Sequence, residues 1–324
     1  MKTIKIGLLG LGNIGTGTYK TLEMNRSEIE STLNAKVEIV KILERDTERD
    51  RGITVPKEKF TSDPDEIFQD PEIDIVIELL GGIEPATTFM LSALKNGKHV
   101  VTANKAALAA NYHELINTAK ENNVILRFEA SVGGGIPILG TLTGPLRANK
   151  FEEVLGILNG TTNYILTMMT QEGLDYDTAL RDAQAQGFAE ADPTADVEGI
   201  DAANKLTILM ALMFDKYVAP QDIPTTGITE ITKEKIEEAR SNGCKIKLIA
   251  HAWRDENDEI KYEVRPMYIS ATHPLANINK EFNAVFVKGN AVDDVMFYGK
   301  GAGPLPTGSA VLGDVIDISM MILK

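Results

Sequence analysis

The 324-residue sequence has little of several residue types on which whole classes of proteins depend. Its single cysteine, Cys244, excludes an intramolecular disulfide and a cysteine-based metal cluster. The four histidines lie far apart, no two of them at i,i+3 or i,i+4 spacing, and no HExxH, Walker or GxSxG motif occurs. Zinc hydrolysis and P-loop phosphoryl transfer are therefore disfavoured.

Positive charge is also scarce, since 33 Lys and Arg accompany 47 Asp and Glu, for a formal net charge of −14. This balance argues against broad binding to nucleic acid or anionic membranes, because both need basic surface. The N-terminus shows no signal-peptide pattern, and no apolar run approaches the ~18–20 residues of a membrane span. We expect a cytoplasmic protein of about two domains, since one domain usually holds ~100–200 residues.

The N-terminal segment has the pattern of a nucleotide-binding βαβ unit. Apolar strands are predicted at Ile4–Leu9 and Val37–Leu43, separated by Gly10-Leu-Gly12-Asn-Ile-Gly15 and a helix over residues 14–33. In this context the first glycine permits a tight turn, the second admits a pyrophosphate, and the third lets the helix pack closely on the strand. The helix N-terminus then offers N–H groups to the phosphates. A glycine-rich turn without a ligand is the weaker alternative.

The identity of the nucleotide should be set at the end of the second strand, where the sequence reads Glu44-Arg45-Asp46, with Arg49 and Arg51 nearby. An acid at this position binds the ribose of NAD, whereas an arginine pairs with the additional phosphate of NADP. Arg45 favours NADP, while Glu44 and Asp46 keep NAD open. A merely solvated run of charge is nearly as compatible with the pattern.

The following residues alternate between predicted strands and helices, which is typical of a doubly wound parallel sheet. The strands are predicted at 73–79, 99–102 and 124–128, and the helices at 85–96 and 108–122. Ligands of such sheets bind at the carboxyl ends of the strands, where Gly81-Gly82 and Thr102-Ala103-Asn104-Lys105 lie.

From about Ser131 the pattern changes. A helix is predicted at 138–148, a strand at 153–158, a turn at 159–163 and a helix to 171. Strands predicted later in the chain indicate an open mixed or antiparallel sheet, and residues 307–323 are predicted to form a closing helix.

The densest group of ionisable residues lies between positions 187 and 205. Residues 172–201 contain nine acids and one base. Asp201 and Lys205 are spaced i,i+4 at the start of an apolar helix, so they share one helix face. A lysine held beside carboxylates on such a helix could become a tunable proton donor. An exposed salt bridge worth ~0.3–0.5 kcal/mol explains the spacing equally well.

The segment Ala183–Lys205, with the pattern A-x3-GFA-x2-DP-x2-DV-x-G-x-D-x3-K, resembles the signature of the homoserine dehydrogenase family at every defined position. The segments GLGNIG, LLGGIEP, VTANK, FEASVGGGIPI, ILNGTTNYI and FYGKGAGPLPTGSAV are similar to further segments of that family and occur in the same order. The resemblance covers nearly the whole chain. It implies reversible hydride transfer between L-aspartate 4-semialdehyde and L-homoserine, with NADPH or NADH.

The resemblance also implies roles for individual residues. Lys205 matches the family's proton donor, and Lys105 matches a second lysine beside the reacting carbonyl. The implied substrate contacts are Glu190, Asp201, Asp196, Gly160 and Thr161, although the NGTTN segment alone would be interpreted as a local cap. A monovalent cation, expected to be sodium, is implied at Glu129, Val132, Gly134 and Ile136. The expected cofactor contacts, of which Gly187 and Gly303 come from the resemblance alone, are Gly10, Gly12, Asn13, Ile14, Gly15, Arg45, Gly81, Thr102, Ala103, Lys105, Gly187 and Gly303.

We therefore expect an α/β protein with two domains. Residues 1–130 and 305–324 should form a Rossmann-type doubly wound parallel sheet, and residues 131–304 a second α+β domain for substrate binding and dimerisation. A homodimer is expected, as is a catalytic core without a C-terminal ACT domain. The alternatives are another small-carbonyl dehydrogenase, or an NAD(P)-binding regulator without turnover. The paired lysines favour catalysis, and no basic helix-turn-helix is evident.

Overall fold

The computed structural model describes residues 2–324. Its strands are β1 (Thr3–Leu9), β2 (Lys36–Leu43), β3 (Phe60–Thr61), β4 (Ile75–Glu78), β5 (His99–Thr102), β6 (Leu126–Arg127), β7 (Phe151–Ile157), β8 (Cys244–Arg254), β9 (Ile260–Ser270), β10 (Phe282–Gly289) and β11 (Asp293–Lys300). Its α-helices are α1 (Asn13–Met24), α2 (Arg26–Leu33), α3 (Asp65–Phe68), α4 (Ala86–Lys95), α5 (Lys105–Ala110), α6 (Tyr112–Glu121), α7 (Leu139–Thr143), α8 (Gly160–Glu172), α9 (Tyr176–Ala185), α10 (Thr194–Val197), α11 (Ile200–Phe214), α12 (Lys233–Ser241) and α13 (Pro304–Ile322). Short 3-10 helices are formed by Lys57–Lys59, Glu129–Ser131, Pro220–Asp222 and Pro274–Asn277.

The chain divides into two compact units. The first unit comprises Met1–Gly135 and Ala302–Lys324, and the second unit comprises Ile136–Gly301.

The first unit is built on a six-stranded sheet of order β3-β2-β1-β4-β5-β6, and all of its neighbouring strands are parallel. β4 reads IVIE and is buried throughout, as expected for a strand covered on both faces. The strand order changes direction between β1 and β4. In a doubly wound sheet this switch point opens a crevice at the carboxyl ends of the strands, and the ligand binds there.

Close packing of two helices brings the C-terminal helix into the first unit. A Cβ atom on Gly17 of α1 would lie 2.2 Å from the carbonyl oxygen of Pro304, and a Cβ atom on Gly308 of α13 would lie 2.8 Å from the backbone nitrogen of Thr18. Glycine at both positions therefore lets α1 and α13 approach to backbone contact, which no larger residue permits.

One described helix, α13, is long and apolar enough to cross a membrane by length and composition. The sequence analysis found no such run because Asp314 and Asp317 interrupt the apolar residues. Val311, Val315 and Ile318 of α13 are buried in the core of the first unit together with residues of β1 and α1.

The second unit contains a five-stranded sheet of order β11-β10-β7-β8-β9. All of its neighbouring strands pair antiparallel, so the antiparallel alternative of the sequence analysis is the one observed. The helices α8, α11 and α12 contact β8. Ile157, Ile249, Ala284 and Phe286 are among the buried residues of the core cluster on this sheet.

Several predicted helices are shorter or divided in the structure. The helix predicted at 14–33 is divided at Asn25, where φ −115° and ψ 19° leave helical geometry. The helix predicted at 108–122 starts earlier, because Asn104 caps α5 at Lys105, and it is divided at Asn111. The helix predicted at 138–148 extends only over α7 and ends at Gly144, whose φ of −111° and ψ of −100° are not helical. The predicted turn at 159–163 is instead the capped start of α8.

The predicted strand bounds also change. The strand predicted at 73–79 pairs only over β4, and that at 124–128 only over β6. β3 and α3 were not predicted, since each has four residues or fewer.

Candidate active site

A cleft of about 450 Å³ lies in the first unit at the carboxyl ends of β1, β2 and β4. It is lined by the glycine-rich turn, the charged segment after β2 and the segment after β4, namely Gly10, Gly12, Leu43, Glu44, Arg45, Asp46, Arg49, Arg51, Ser62, Pro64, Leu79, Leu80, Gly81, Pro85 and Phe89. We call it the first-unit cleft. Its position is that of the nucleotide crevice at the switch point of a doubly wound sheet.

The three glycines of the turn serve three different purposes. Gly10 adopts φ +92°, a left-handed conformation that disfavours any side chain. A Cβ atom on Gly15 would lie 2.2 Å from the carbonyl oxygen of Gly10, so Gly15 is required by packing. A Cβ atom on Gly12 would meet nothing within 4 Å, so space for a ligand remains beside it. Asn13 and Ile14 begin α1, whose N-terminus has no side-chain cap.

Glu44, directly after β2, is held by the backbone around it. Its carboxylate accepts hydrogen bonds from the backbone nitrogens of Leu11 at 3.0 Å, Arg45 at 2.8 Å and Asp46 at 3.2 Å. Arg51 lies 3.2 Å from the same carboxylate. Burial opposes the charged form, but these N–H groups and Arg51 more than offset it and lower the pKa of Glu44. Glu44 thus joins the glycine-rich turn to the segment after β2.

Arg51 and Arg45 differ in exposure. The Arg51 side chain is 7% exposed and donates to the carbonyl oxygens of Leu11 at 2.7 Å and Asp46 at 2.6 Å. Arg45 is exposed and lines the first-unit cleft. Both arginines line the cleft, but Arg51 is held by the loop while Arg45 is exposed.

Two further walls of the site follow β4 and β5. Gly81 adopts φ +80° in the segment after β4. Thr102 is the buried last residue of β5, and Lys105 begins α5. Asn104 caps α5 by accepting a hydrogen bond from Ala107 N at 3.1 Å.

The sequence analysis did not identify Glu78, which connects these two walls. Its carboxylate accepts hydrogen bonds from Leu80 N at 2.7 Å and from the Thr102 hydroxyl at 2.6 Å. Glu78 is 0% exposed, and burial raises the pKa of its carboxyl. The signal in the sequence was a single acid in an otherwise apolar strand.

In the second unit, Asp201 and Lys205 form a buried pair on α11. Lys205 Nζ donates to Asp201 Oδ2 at 2.6 Å and to the carbonyl oxygen of Leu158 at 2.7 Å. The side chains of Lys205 and Asp201 are 10% and 8% exposed. The structure therefore excludes the exposed salt bridge that the sequence left open.

Asn159 is a second residue of this network that the sequence analysis missed. Its side-chain nitrogen donates to Asp196 Oδ1 at 2.7 Å and to Asp201 Oδ2 at 2.9 Å. Its side-chain oxygen caps α8 by accepting from Thr162 N at 2.9 Å. Asn159 therefore holds Asp196 and Asp201 together and connects both to Lys205. The Asn-Gly-Thr-Thr sequence signalled the cap but not the two carboxylates.

The other expected substrate residues lie around this network without joining it through the described contacts. The Thr161 hydroxyl donates to the carbonyl oxygen of Phe188 at 2.6 Å. Gly160 begins α8, and a Cβ atom there would lie 2.7 Å from the carbonyl oxygen of Glu281. Glu190 is exposed, and its carbonyl oxygen accepts from Gln184. Gly187, an expected cofactor contact, is exposed with φ +77°.

The residues expected to hold a cation lie in the irregular segment after β6. Glu129 N donates to Asp314 Oδ2 at 2.8 Å. Val132 is buried, and Gly134 adopts φ +55°. Ile136 is buried and is the first residue of the second unit. Elsewhere in the first unit, Gly303 (φ +122°) directly precedes α13.

Known proteins of one family match nearly the whole chain. The family model described as "Homoserine dehydrogenase" matches residues 137–316, and that described as "Homoserine dehydrogenase, NAD binding domain" matches residues 10–129. The homoserine dehydrogenase of Bacillus subtilis is 44% identical over 318 residues, which cover 98% of this chain and 73% of the relative.

Solved structures agree as well. A crystal structure of homoserine dehydrogenase from Thiobacillus denitrificans matches with a TM-score of 0.95 and 43% identity, covering 99% of this chain and 74% of that one. A hyperthermophilic archaeal homoserine dehydrogenase in complex with NADPH matches with a TM-score of 0.83 and 26% identity, covering 98% of both chains. The predicted resemblance and fold class are thus confirmed. The chain belongs to the homoserine dehydrogenase family, the NAD(P)-dependent oxidoreductases of amino-acid biosynthesis that interconvert L-aspartate 4-semialdehyde and L-homoserine.

Proposed function

We propose that this enzyme prefers NADP(H) and that Arg45 recognises the additional phosphate. The proposal rests on the contacts of Glu44, the acid that would bind the ribose of NAD. Its carboxylate already accepts hydrogen bonds from three backbone N–H groups and lies beside Arg51. Arg45 lines the same cleft and is exposed. A guanidinium there can form charge-assisted hydrogen bonds with a phosphate.

Two variants test the cofactor preference. Arg45→Ala should raise the KM for NADPH about tenfold, the equivalent of ~1.4 kcal/mol, and leave that for NADH unchanged. Glu44→Gln should weaken both cofactors alike, because Glu44 anchors the loop. Lys36→Ala, at the exposed amino end of β2, is the matched control. An unchanged KM for NADPH in Arg45→Ala, or a loss confined to NADH in Glu44→Gln, contradicts the assignment.

Lys205 is proposed as the proton donor. When NADPH is bound it supplies the hydride to the aldehyde carbon, and the proton for the resulting alkoxide must come from the protein. Asp201 accepts from Lys205 Nζ at 2.6 Å, which holds the end of the Lys205 side chain in a fixed orientation. After proton transfer the neutral amine regains a proton from solvent. Lys105, at the start of α5, is proposed as the second lysine that stabilises the developing oxyanion.

The remaining substrate roles follow the same proposal. The carboxylates of Glu190 and Asp201 suit the substrate ammonium, and Asp196 positions Asp201 through Asn159. Gly160 and Thr161 are proposed to contact the amino-acid end of the substrate. The cofactor contacts proposed beyond the first-unit cleft are Thr102, Ala103, Lys105, Gly187 and Gly303.

The direct test is turnover of L-aspartate 4-semialdehyde with NADPH by the purified protein. Lys205→Ala should lose turnover while still binding NADPH, measured by nucleotide fluorescence. Lys216→Ala, exposed just after α11, should behave as the unaltered enzyme. If Lys205→Ala keeps its rate, the proton-donor role is wrong. Turnover with a different aldehyde alone favours another small-carbonyl dehydrogenase.

A monovalent cation, expected to be sodium, is proposed at the irregular loop after β6. Glu129 would supply a carboxylate, and Val132, Gly134 and Ile136 backbone oxygens, which are suitable ligands for a hard cation. The loop is buried from position 130 to 134, so its carbonyl groups need partners. The cation would stabilise this loop rather than take part in chemistry.

A homodimer formed through the second unit is proposed as well. Met296 and Tyr298 are exposed apolar side chains on β11, at the edge of the sheet. Light scattering coupled to gel filtration would measure the mass. A cytoplasmic location stays a prediction.

A further inference from the structure

Glu78 is an acidic residue at a buried position, where a charged side chain is energetically unfavourable. It ends β4, which lies between β1 and β5 in the middle of the sheet, and it is 0% exposed. Three apolar residues precede it in the strand. Placing an ionised carboxylate in such a site costs several kcal/mol unless hydrogen bonds satisfy it.

The groups around Glu78 are hydrogen-bond donors to its carboxyl oxygens. Leu80 N donates to one oxygen at 2.7 Å and the Thr102 hydroxyl donates to the other at 2.6 Å. The Gly81 N–H and the Asn104 side chain also favour the anion. These groups partly offset the burial that raises the pKa of the Glu78 carboxyl.

The donors come from two different segments. Leu80 and Gly81 follow β4 and line the first-unit cleft. Thr102 is the last residue of β5, and Asn104 directly precedes Lys105 at the start of α5. Besides their common acceptor, the two segments are joined by the Asn104 amide, which donates to the carbonyl oxygen of Gly82 at 2.7 Å.

The connection continues from Thr102 to the start of α5. Asn104 N donates to the Thr102 hydroxyl oxygen at 2.9 Å, and the Asn104 side chain caps the helix that Lys105 begins. The Thr102 hydroxyl therefore donates to Glu78 and accepts from Asn104 at the same time. These two partners therefore determine its orientation.

We propose that Glu78 is a positioning residue for hydride transfer, a buried carboxylate that holds the Leu80–Gly82 wall of the cleft at a fixed distance from the segment that carries Lys105. The proposal rests on the proposed roles of Gly81 and Lys105. It extends them by assigning their relative placement to one residue that touches neither substrate nor reacting atoms.

The first test uses Glu78→Gln. The amide oxygen can still accept from Leu80 N–H, but the NH2 group then faces the Thr102 hydroxyl, which must change from donor to acceptor, so the connection to Thr102 is weakened. We expect the KM for NADPH to rise and kcat to fall, each about tenfold. Glu121→Gln, exposed at the end of α6, is the matched control and should change neither.

The second test separates the two sides. Thr102→Val removes one hydroxyl and leaves the Leu80 bond intact, so kcat should fall about tenfold; the KM for NADPH is not used to judge this variant, because Thr102 is itself a proposed cofactor contact. Thr102→Ser should restore kcat. The double variant Glu78→Gln, Thr102→Val should be no slower than the slower single variant, because both changes break the same connection.

A merely structural role gives a different pattern. It predicts losses of folded protein, measured by circular dichroism and urea denaturation, with kcat and KM of the folded fraction unchanged. That result, or rate losses that multiply in the double variant, would overturn the proposal. If Glu78→Gln does not fold, the Thr102→Val and Thr102→Ser pair still decides it. Lys105→Ala is measured in parallel. If Lys105→Ala keeps full turnover, the proposed role of Lys105 is wrong. The KM of Glu78→Gln for NADPH still tests whether Glu78 positions the wall of the cleft.

Discussion

Replacing Asn159 by aspartate or serine tests whether the carboxylate network of the second unit is held as the structure shows. The Asn159 side chain caps α8 through its oxygen and donates to Asp196 and Asp201 through its nitrogen. Both replacements keep an oxygen that can cap the helix. They differ at the nitrogen, where serine removes the donor and aspartate replaces it with a negative charge.

The magnitude follows from the distances. Serine removes two hydrogen bonds to carboxylates, each worth ~1.5–3 kcal/mol, so Asn159→Ser should be destabilised by about 2–4 kcal/mol after partial rehydration. Aspartate would bring a third carboxylate to about 2.8 Å from two others, where like-charge repulsion is about 6 kcal/mol per pair at an effective dielectric constant of ~20. This repulsion exceeds the cost of binding a proton, so the folded Asn159→Asp protein should take up one proton. Its free energy of unfolding should therefore lie at most about 4 kcal/mol below that of Asn159→Ser.

The sign of the pH dependence distinguishes the two variants. In Asn159→Asp the folded state has a raised carboxyl pKa and binds more protons than the unfolded state. Its free energy of unfolding therefore falls as pH rises from about 4 to that raised pKa, and is constant above it. Urea denaturation at several pH values would measure this. The free energy of unfolding of Asn159→Asp should be lower than that of Asn159→Ser, and the difference should be largest at about pH 8 and become smaller towards about pH 5. Equal stability of the two variants at every pH would refute the network.

Three further outcomes are expected. Gly12→Ala should fold normally but raise the KM for NADPH about tenfold or more, because space lies beside Gly12, whereas Gly15→Ala should lose about 3 kcal/mol or more of stability from the 2.2 Å contact with Gly10 O, as urea denaturation would show. An equal effect of both on stability would contradict this. Lys247, which donates to Asn163 Oδ1 at 2.9 Å, has a pKa lowered by burial to about 7. Above that pH the unfolded chain binds more protons, so the free energy of unfolding should rise with pH by at most ~1.4 kcal/mol per unit up to about pH 10. In Lys247→Met the free energy of unfolding should rise less with pH. Parallel curves of the free energy of unfolding against pH for the two proteins would contradict the lowered pKa of Lys247.

Local patterns predicted much of the first unit. The glycine-rich turn between β1 and α1 and the apolar β4 and β5 could be identified because each depends on residues close in sequence. The same local reasoning overextended the helix at 14–33, since its apolar spacing does not reveal the break at Asn25. It also overextended the helix at 138–148, where the backbone leaves helical geometry at Gly144.

The second unit shows where local reasoning was incomplete. The i,i+4 spacing of Asp201 and Lys205 placed them on one face of α11, but an exposed pair and a buried pair have the same spacing. Burial of that face, at 8% and 10% exposure, is a result of packing against other elements. Asn159 lies 42 positions from Asp201, and no periodicity connects them.

The sequence by itself determined the family, the reaction and the class of fold, because signature segments, glycine positions and strand patterns are short-range properties of the chain. Only the tertiary structure decided how charged side chains are satisfied. It placed Glu44 among backbone N–H groups, Glu78 between two segments that follow separate strands, and Asn159 between two carboxylates. Desolvation and hydrogen bonding depend on neighbours that are distant in sequence, so the state and the role of a buried charge emerge only when the chain is folded.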